Sequence, residues 1–181
     1  MSEQVVLVDK NDKKTGLMEK LAAHRAGGTR HRAISALLYR ARSGKKEFLL
    51  QQRSKEKPLW PLYWTNTVCT HPRDKEAPVD CAVRRLKEEM GIAIKKDDLQ
   101  FVYKLPYQAQ YSKRLAENEL DHLFVGEWNG NVVINSFEVA DYRWTEVDLL
   151  MREVKENPNI FTPWFLKIMV DGRLTKLLDN I

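Results

Sequence analysis

Cysteine is scarce in this chain: Cys69 and Cys81 are the two among 181 residues. Two thiols do not make a disulfide framework, so a reducing compartment, the cytoplasm, is the expected location. Long apolar runs are missing as well. None approaches the ~20 residues that a membrane-spanning helix requires, and no membrane partner is expected. The opening stretch MSEQVVLVDKNDKK carries acids and no long apolar core, unlike a signal peptide. No internal repeat, low-complexity tract or linker-like segment interrupts the chain, so residues 1–181 read as one domain with room for a sizeable core. Nor is there a strong excess of one charge. A net charge of +5 fits an anionic partner without choosing among phosphate esters, nucleic acid and acidic proteins. The basic residues are dispersed among acids and form no nucleic-acid motif, so nucleic acid is not the expected partner.

What is present reads as alternating strands and helices. Residues 3–9 have strand character and residues 11–16 that of a turn. Residues 18–26 suit one or two helical turns ended by Gly27 and Gly28. Residues 33–39 and 47–53 read as a hairpin around ARSGKK, and residues 63–69 as a further strand. Val79, Ala82, Val83, Leu86 and Met90 fall at helical spacing, and Gly91 then caps that helix. Residues 99–105 and 120–128 read as strands. Residues 141–158 open as a strand and become a helix stopping near Pro158. Thr162 and Pro163 suit the start of a final helix. The mixture predicts an α+β sandwich.

The stretch TNTVCTHP places Cys69 two residues before His71, in a β-branched run closed by Pro72. His24, His31 and His71 are three of the four histidines, and Glu117 and Glu119 would share one face of a strand. Three imidazoles and two carboxylates suit Mn²⁺ or Zn²⁺, or Mg²⁺ with less preference for nitrogen. The spacing is loose compared with compact metal motifs, and on spacing alone dispersed surface histidines beside a solvated acidic strand end account for it better than a metal site does. The segment RRLKEEMGI has two readings too. Arg84 with Glu88 and Arg85 with Glu89 are i,i+4 pairs that stabilise a solvated helix face. The same stretch is similar to the Nudix box, which ends Arg-Glu-(apolar)-x-Glu-Glu-x-Gly-(apolar). Glu76 stands at its earlier glutamate, Arg84 at the arginine, Glu88 and Glu89 at the paired glutamates, and Gly91 and Ile92 at its end. Two positions depart from it. Thr70 replaces the leading glycine, and Arg85 replaces the glutamate that helps hold metal in Nudix hydrolases. A cation there removes a ligand and repels the ion, which argues against diphosphate hydrolysis.

Read together, EKLAAH, RHRAISALLY, QQRSKEKPLWPLYWTNTVCTHP, AVRRLKEEMGI, LPYQAQY, ENELDHLF and FTPWF resemble the type I isopentenyl-diphosphate isomerases over nearly the whole chain. The resemblance implies a Nudix-like α/β/α sandwich with a mixed central sheet. It implies that the enzyme interconverts isopentenyl and dimethylallyl diphosphate in isoprenoid biosynthesis. His24, His31, His71, Glu117 and Glu119 match that family's metal ligands. Cys69 and Glu119 match its catalytic pair, Tyr107 the tyrosine that assists proton transfer, and Trp164 the indole facing the cationic intermediate. Lys20, Arg53, Lys57 and Arg85 match basic residues around the diphosphate. Glu89 matches a residue near a second metal, Mg²⁺, that accompanies the diphosphate. The partner implied is a small allylic or homoallylic diphosphate, and no oligomer is predicted. Glu119 is assigned as acid towards the alkene and Cys69 as base. Taken singly, these residues have ordinary uses: Cys69 as a buried apolar group, Trp164 as a helix-start anchor and Tyr107 as a strand aromatic. Cys81 and His122 match no functional position.

Overall fold

The strand His31–Arg42, β3 of a computed structural model described over residues 3–179, organises the fold. Its run from Ala33 to Leu38 is buried, which suits a strand covered on both faces. One edge of β3 carries β8 (Ala116–Glu127) in parallel, with His31 opposite Glu119 and Tyr39 opposite Glu127. Its other edge is shared by β1 (Gln4–Val8), β6 (Val68–Thr70) and β4 (Lys45–Arg53), all antiparallel. Beyond β8 lies β7 (Leu99–Gln110), beyond β1 lies β2 (Lys14–Glu19), and β4 also pairs with β5 (Trp64–Thr65) and β9 (Val139–Glu146).

Helices cover both faces. Alternate β3 side chains divide between them, as strand geometry requires. Ile34, Ala36 and Leu38 pack with Ala82, Leu86 and Met90 of α2 (Pro78–Met90). Leu37 faces the cluster containing Leu150 of α3 (Val147–Glu156), Trp164, Phe165 and Ile168 of α4 (Pro163–Val170) and Leu174 of α5 (Gly172–Asp179). The remaining helix, α1, is the single turn Lys20–Ala23, with Glu19 accepting from the N–H groups of Leu21 and Ala22. This is the expected α/β/α sandwich with a mixed sheet.

Several local expectations shift. The turn expected at 11–16 gives way to β2 at Lys14, and the helix expected at 18–26 shrinks to α1. The strand expected at 63–69 is broken at Asn66 and Thr67. There Thr67 Oγ1 accepts from Leu38 N and donates to Leu49 O, a side chain wedged between the backbones of β3 and β4. The strands expected at 99–105 and 120–128 are longer inward: β7 runs to Gln110 and β8 begins at Ala116. The final helix breaks at Asp171, which leaves the helical conformation and accepts from Arg173 N to open α5.

Gly91 ends α2 with φ 67°, and a Cβ there would lie 2.7 Å from Val133 O. Both the left-handed backbone and the clash oppose any side chain. Gly91→Ala is expected to lower unfolding free energy by at least ~1–2 kcal/mol, read from urea denaturation. An unchanged midpoint would contradict this account of the cap.

Candidate active site

Sheet register assembles the site before any loop is considered. Glu119 lies between His31 on β3 and Tyr107 on β7, each directly opposite it. Cys69 pairs with Ser35 on the other edge of β3, four residues from His31. His31 and Ser35 share a face, as do Cys69 and His71, by the two-residue period of a strand. That face also carries Leu37 and looks towards α4, so Trp164 closes over it. His24 arrives by a different route. The loop after α1 turns at Gly27 and Gly28, both at positive φ, and runs against the start of β8. A Cβ on Gly28 would meet Ala116 O and Asn118 Cβ at 3.0 Å, so only glycine lets the loop lie this close. Ala116 N donates to His24 O at 2.8 Å and Asn118 Nδ2 to Gly28 O at 3.0 Å, fixing His24 beside Glu117.

Four ligand atoms, one each from His24, His31, His71 and Glu119, lie within 4.8 Å of one another. The Nδ1 atoms of His24 and His31 face the carbonyls of Lys20 and Thr29 at 2.6 and 2.7 Å. A carbonyl only accepts, so each Nδ1 carries hydrogen and each ring turns its Nε2 inward, the atom that ligates once it carries no proton. His31 Nε2 stands 3.1 Å from His71 Nε2, and Glu119 Oε1 lies 3.3 and 2.8 Å from those two atoms. Glu117 lies just outside the four, with Oε2 at 2.9 Å from His24 Nε2. That close approach lacks hydrogen-bond alignment, and Glu117 Oε2 has no hydrogen-bond partner. Lone pairs and carboxylate oxygens crowded together with one oxygen unsatisfied fit a divalent metal.

The electrostatics follow from burial opposed by pairing. Burial disfavours charge on His24, but Glu117 outweighs it and lifts the imidazole to about 9. Burial dominates at His71, which falls to about 3 despite Glu119. Burial also opposes charge on Glu119, yet His31 and His71 hold its carboxyl well below the ordinary range. Glu117 moves the other way, raised by burial and by Glu119. The Tyr107 hydroxyl donates to Glu119 Oε2, and burial, then Glu119, keeps that phenol protonated. Burial, then Glu119, likewise pushes the Cys69 thiol well up.

A cavity of about 300 Å³ opens over this cluster, lined by Lys20, His24, Arg53, Lys57, Cys69, His71, Arg85, Glu117, Glu119 and Trp164 among others. The remaining predicted residues stand behind its wall. His31 is fully buried, Tyr107 lies under Glu119, and Glu89 is buried behind Arg85, which it binds at 2.7 Å. Arg53 lines the cavity, yet its Nε and Nη2 donate to the carbonyls of Leu59 and Trp60, so it also fixes that loop. Trp164 Nε1 donates to Asn66 Oδ1 at 3.2 Å, and the Tyr107 and Trp60 rings lie 6.1 and 5.4 Å away.

The NUDIX domain family matches residues 29–165. The isopentenyl-diphosphate Delta-isomerase of Photobacterium profundum is 40% identical over 170 residues, covering 93% of each chain. Isopentenyl-diphosphate Delta-isomerase 1 of Aromatoleum aromaticum is 38% identical over 164 residues, 91% of this chain and 89% of its own. The chain belongs to the isopentenyl-diphosphate isomerases of the Nudix family. Among solved structures, a Deinococcus radiodurans protein superposes with TM-score 0.73 at 15% identity, over 92% of this chain and 97% of its own. The NUDIX domain of Shewanella oneidensis NrtR gives 0.61 at 12%, over 81% and 86%. At those identities the likeness speaks for the fold alone.

Membership in this isomerase family gives the altered Nudix helix a meaning. Arg85 is bound by Glu88 at 3.0 Å and Glu89 at 2.7 Å, so a guanidinium occupies the carboxylate platform of the box. Arg84 also lines the cavity, held by Glu76 and Glu88. Sequence reasoning passed over further acids: Glu3, which lines the cavity and pairs with Lys20 at 3.0 Å, Glu138 and Asp121. Glu138 lines the cavity and pairs with Lys57 and Arg85; burial raises its carboxyl, but those cations prevail and bring it to about 2. Asp121 continues the alternation of Glu117 and Glu119 along β8, and the spacing in ENELD carried that signal. Its Oδ2 accepts from Ser35 Oγ at 2.7 Å, and burial, then Glu119, lifts it to about 8. Glu138 stands alone in its segment, with no such pattern. Among the described residues, no helix is long and apolar enough to cross a membrane.

A metal must displace the proton that Glu117 stabilises on His24. Apparent affinity for Mn²⁺ is therefore expected to rise with pH up to about 9, with protons released on binding. Calorimetry in buffers of different ionisation enthalpy measures both, and a pH-independent affinity would contradict this electrostatic account.

Proposed function

We propose that this isomerase interconverts isopentenyl and dimethylallyl diphosphate, within isoprenoid biosynthesis, by protonation and deprotonation through a tertiary carbocation. The observation that carries the reading is one buried cavity with two proton-transfer groups on opposite edges of β3. Glu119 lies on one edge with Tyr107 bonded to it, Cys69 lies on the other, and Trp164 covers both. Moving a terminal double bond inward adds a proton at one carbon and removes one at another, so it needs two such groups. At rest the one proton the pair shares sits on the Cys69 thiol, the state that serves the reverse direction. In the form that acts on the terminal alkene it has moved through solvent to Glu119, leaving a thiolate, and Glu119, with Tyr107 assisting, gives it to the terminal carbon. Cys69 takes a proton from the carbon on the other side of the cation. The roles exchange in the reverse direction, and each group regains its starting protonation by exchange with solvent. Trp164 stabilises the cation through its ring face, a contribution of ~2 kcal/mol when dry, and its indole presents no lone pair that would trap the cation.

The cationic wall of Lys20, Arg53, Lys57 and Arg85 binds the diphosphate, and this remote binding energy positions the reacting carbons. Guanidinium at Arg85 suits phosphate oxygens, as the carboxylate of a hydrolytic box does not. His24, His31, His71, Glu117 and Glu119 would hold Mn²⁺, Zn²⁺ or Mg²⁺, and Glu89 offers a carboxylate to the Mg²⁺ that accompanies the diphosphate. A divalent ion in the histidine cluster would polarise the Glu119 carboxyl and make its proton more acidic. The unpaired thiols of Cys69 and Cys81 suit a reducing cytoplasm.

Incubation with isopentenyl diphosphate, Mg²⁺ and Mn²⁺ in D₂O, followed by proton NMR, tests the reaction. Deuterated dimethylallyl diphosphate is expected, and Cys69→Ala is expected to abolish its formation while circular dichroism stays unchanged. Release of phosphate or isopentenyl monophosphate would place the enzyme with the hydrolases instead. Full activity of Cys69→Ala would remove the thiol from proton transfer.

A further inference from the structure

Glu138 sits in an anion-binding pocket, where a carboxylate ought to be unwelcome. It immediately precedes β9 and is pinned by its own main chain: its N–H donates to Asn135 O at 2.9 Å, and its carbonyl accepts from Ser54 N at 3.1 Å. Asn135 N in turn donates to Glu89 O at 2.9 Å, tying this segment to α2. The side chain reaches two cations from distant parts of the sequence. Oε2 accepts from Lys57 Nζ, beyond β4, and Oε1 lies 3.1 Å from Arg85 Nη2 on α2.

We propose that Glu138 is a positioning residue for the substrate's diphosphate: its carboxylate holds Lys57 and Arg85 side by side, so that both cations meet the same phosphoryl group. The proposal rests on the reading of Lys57 and Arg85 as diphosphate-binding residues. Lysine is a point charge on a flexible four-carbon stem, whereas Arg85 is locked by Glu88 and Glu89. Glu138 extends that locked geometry to Lys57. A carboxylate and a phosphoryl group both present paired oxygens, so cations gathered by the first are spaced to serve the second. The trio keeps a net positive charge, because one acid is shared by two bases.

Glu138→Gln leaves the main-chain bonds in place and changes only the carboxylate contacts. With isopentenyl diphosphate and Mg²⁺, it is expected to raise KM roughly tenfold, the equivalent of ~1.4 kcal/mol, with a smaller fall in kcat. The inhibition constant of inorganic diphosphate should rise in step. Glu138→Asp should recover part of the loss. Glu138→Gln added to Lys57→Ala should cost little more than Lys57→Ala alone, because residues that act as a unit are non-additive. Unchanged KM and inhibition constant in Glu138→Gln, or fully additive losses, would overturn the proposal. Lys57→Ala and Arg85→Ala distinguish its failure from that of the underlying reading. If both variants isomerise with wild-type KM, the clamp assignment falls and the role of Glu138 falls with it. If both raise KM and Glu138→Gln does not, only the role of Glu138 is lost.

Discussion

The parallel pairing of β3 with β8 is the constraint on which the rest of the site depends. It sets His31 opposite Glu119 in the interior of a sheet covered on both faces. The candidate proton-transfer groups and the strand-borne metal-ligand candidates are then placed by reference to that rung. Tyr107 is the rung's neighbour on β7, and Cys69 sits on the opposite edge of β3 with His71 two residues on. A slip of one residue in the β3–β8 register would turn Glu117, Glu119 and Asp121 to the other face and leave the histidines without carboxylates. Cross-strand geometry thus supplies a rigid platform for the groups proposed to transfer protons, chemistry that demands close positioning.

The platform concentrates charge where water is excluded, and the arrangement divides that charge into two compartments. Beneath the cavity, imidazoles offset buried carboxylates, a donor set that a divalent ion can complete. Along its wall, Arg85 and Lys57 are braced by carboxylates that are themselves anchored on α2 and before β9. With Arg85 in place of one acid of the Nudix box, the same helix presents a guanidinium where the box has a carboxylate. The box glutamates, which would gather metal on a hydrolytic platform, here orient a guanidinium.

Much of this was legible in the sequence because the relevant signals are short-range. Helical spacing identified α2, and Gly91 marked its end. The alternation in ENELD put Glu117 and Glu119 on one face. The resemblance to the isomerase family, and no local signal, associated Cys69, His71 and Trp164 with the same site. Less legible were features that depend on partners far away in the chain. Nothing local shows that Thr67 will wedge between β3 and β4 and break a strand, or that Gly28 must yield space to Asn118. The helix at α1 is shorter than its residues suggest because Leu21, Ala22, Ala23 and Ala26 favour helix up to Gly27, while Arg25 is pulled out of the helix to pair with Leu115. Glu138 escaped notice for the same reason. Its importance comes from Lys57 and Arg85, and no spacing connects the three.

The central claim is that the metal bound without substrate belongs on the strand cluster, and that the Nudix helix offers a carboxylate only to the Mg²⁺ that arrives with the diphosphate. Electron spin-echo spectroscopy of bound Mn²⁺ reads the ligands directly, since imidazole nitrogen imprints hyperfine couplings that carboxylates lack. The account predicts nitrogen couplings for one equivalent of Mn²⁺ that weaken when His31 is replaced by Gln and persist when Glu88 is. Mn²⁺ bound through oxygen alone, or lost on replacement of Glu88, would put the metal on the helix and contradict it.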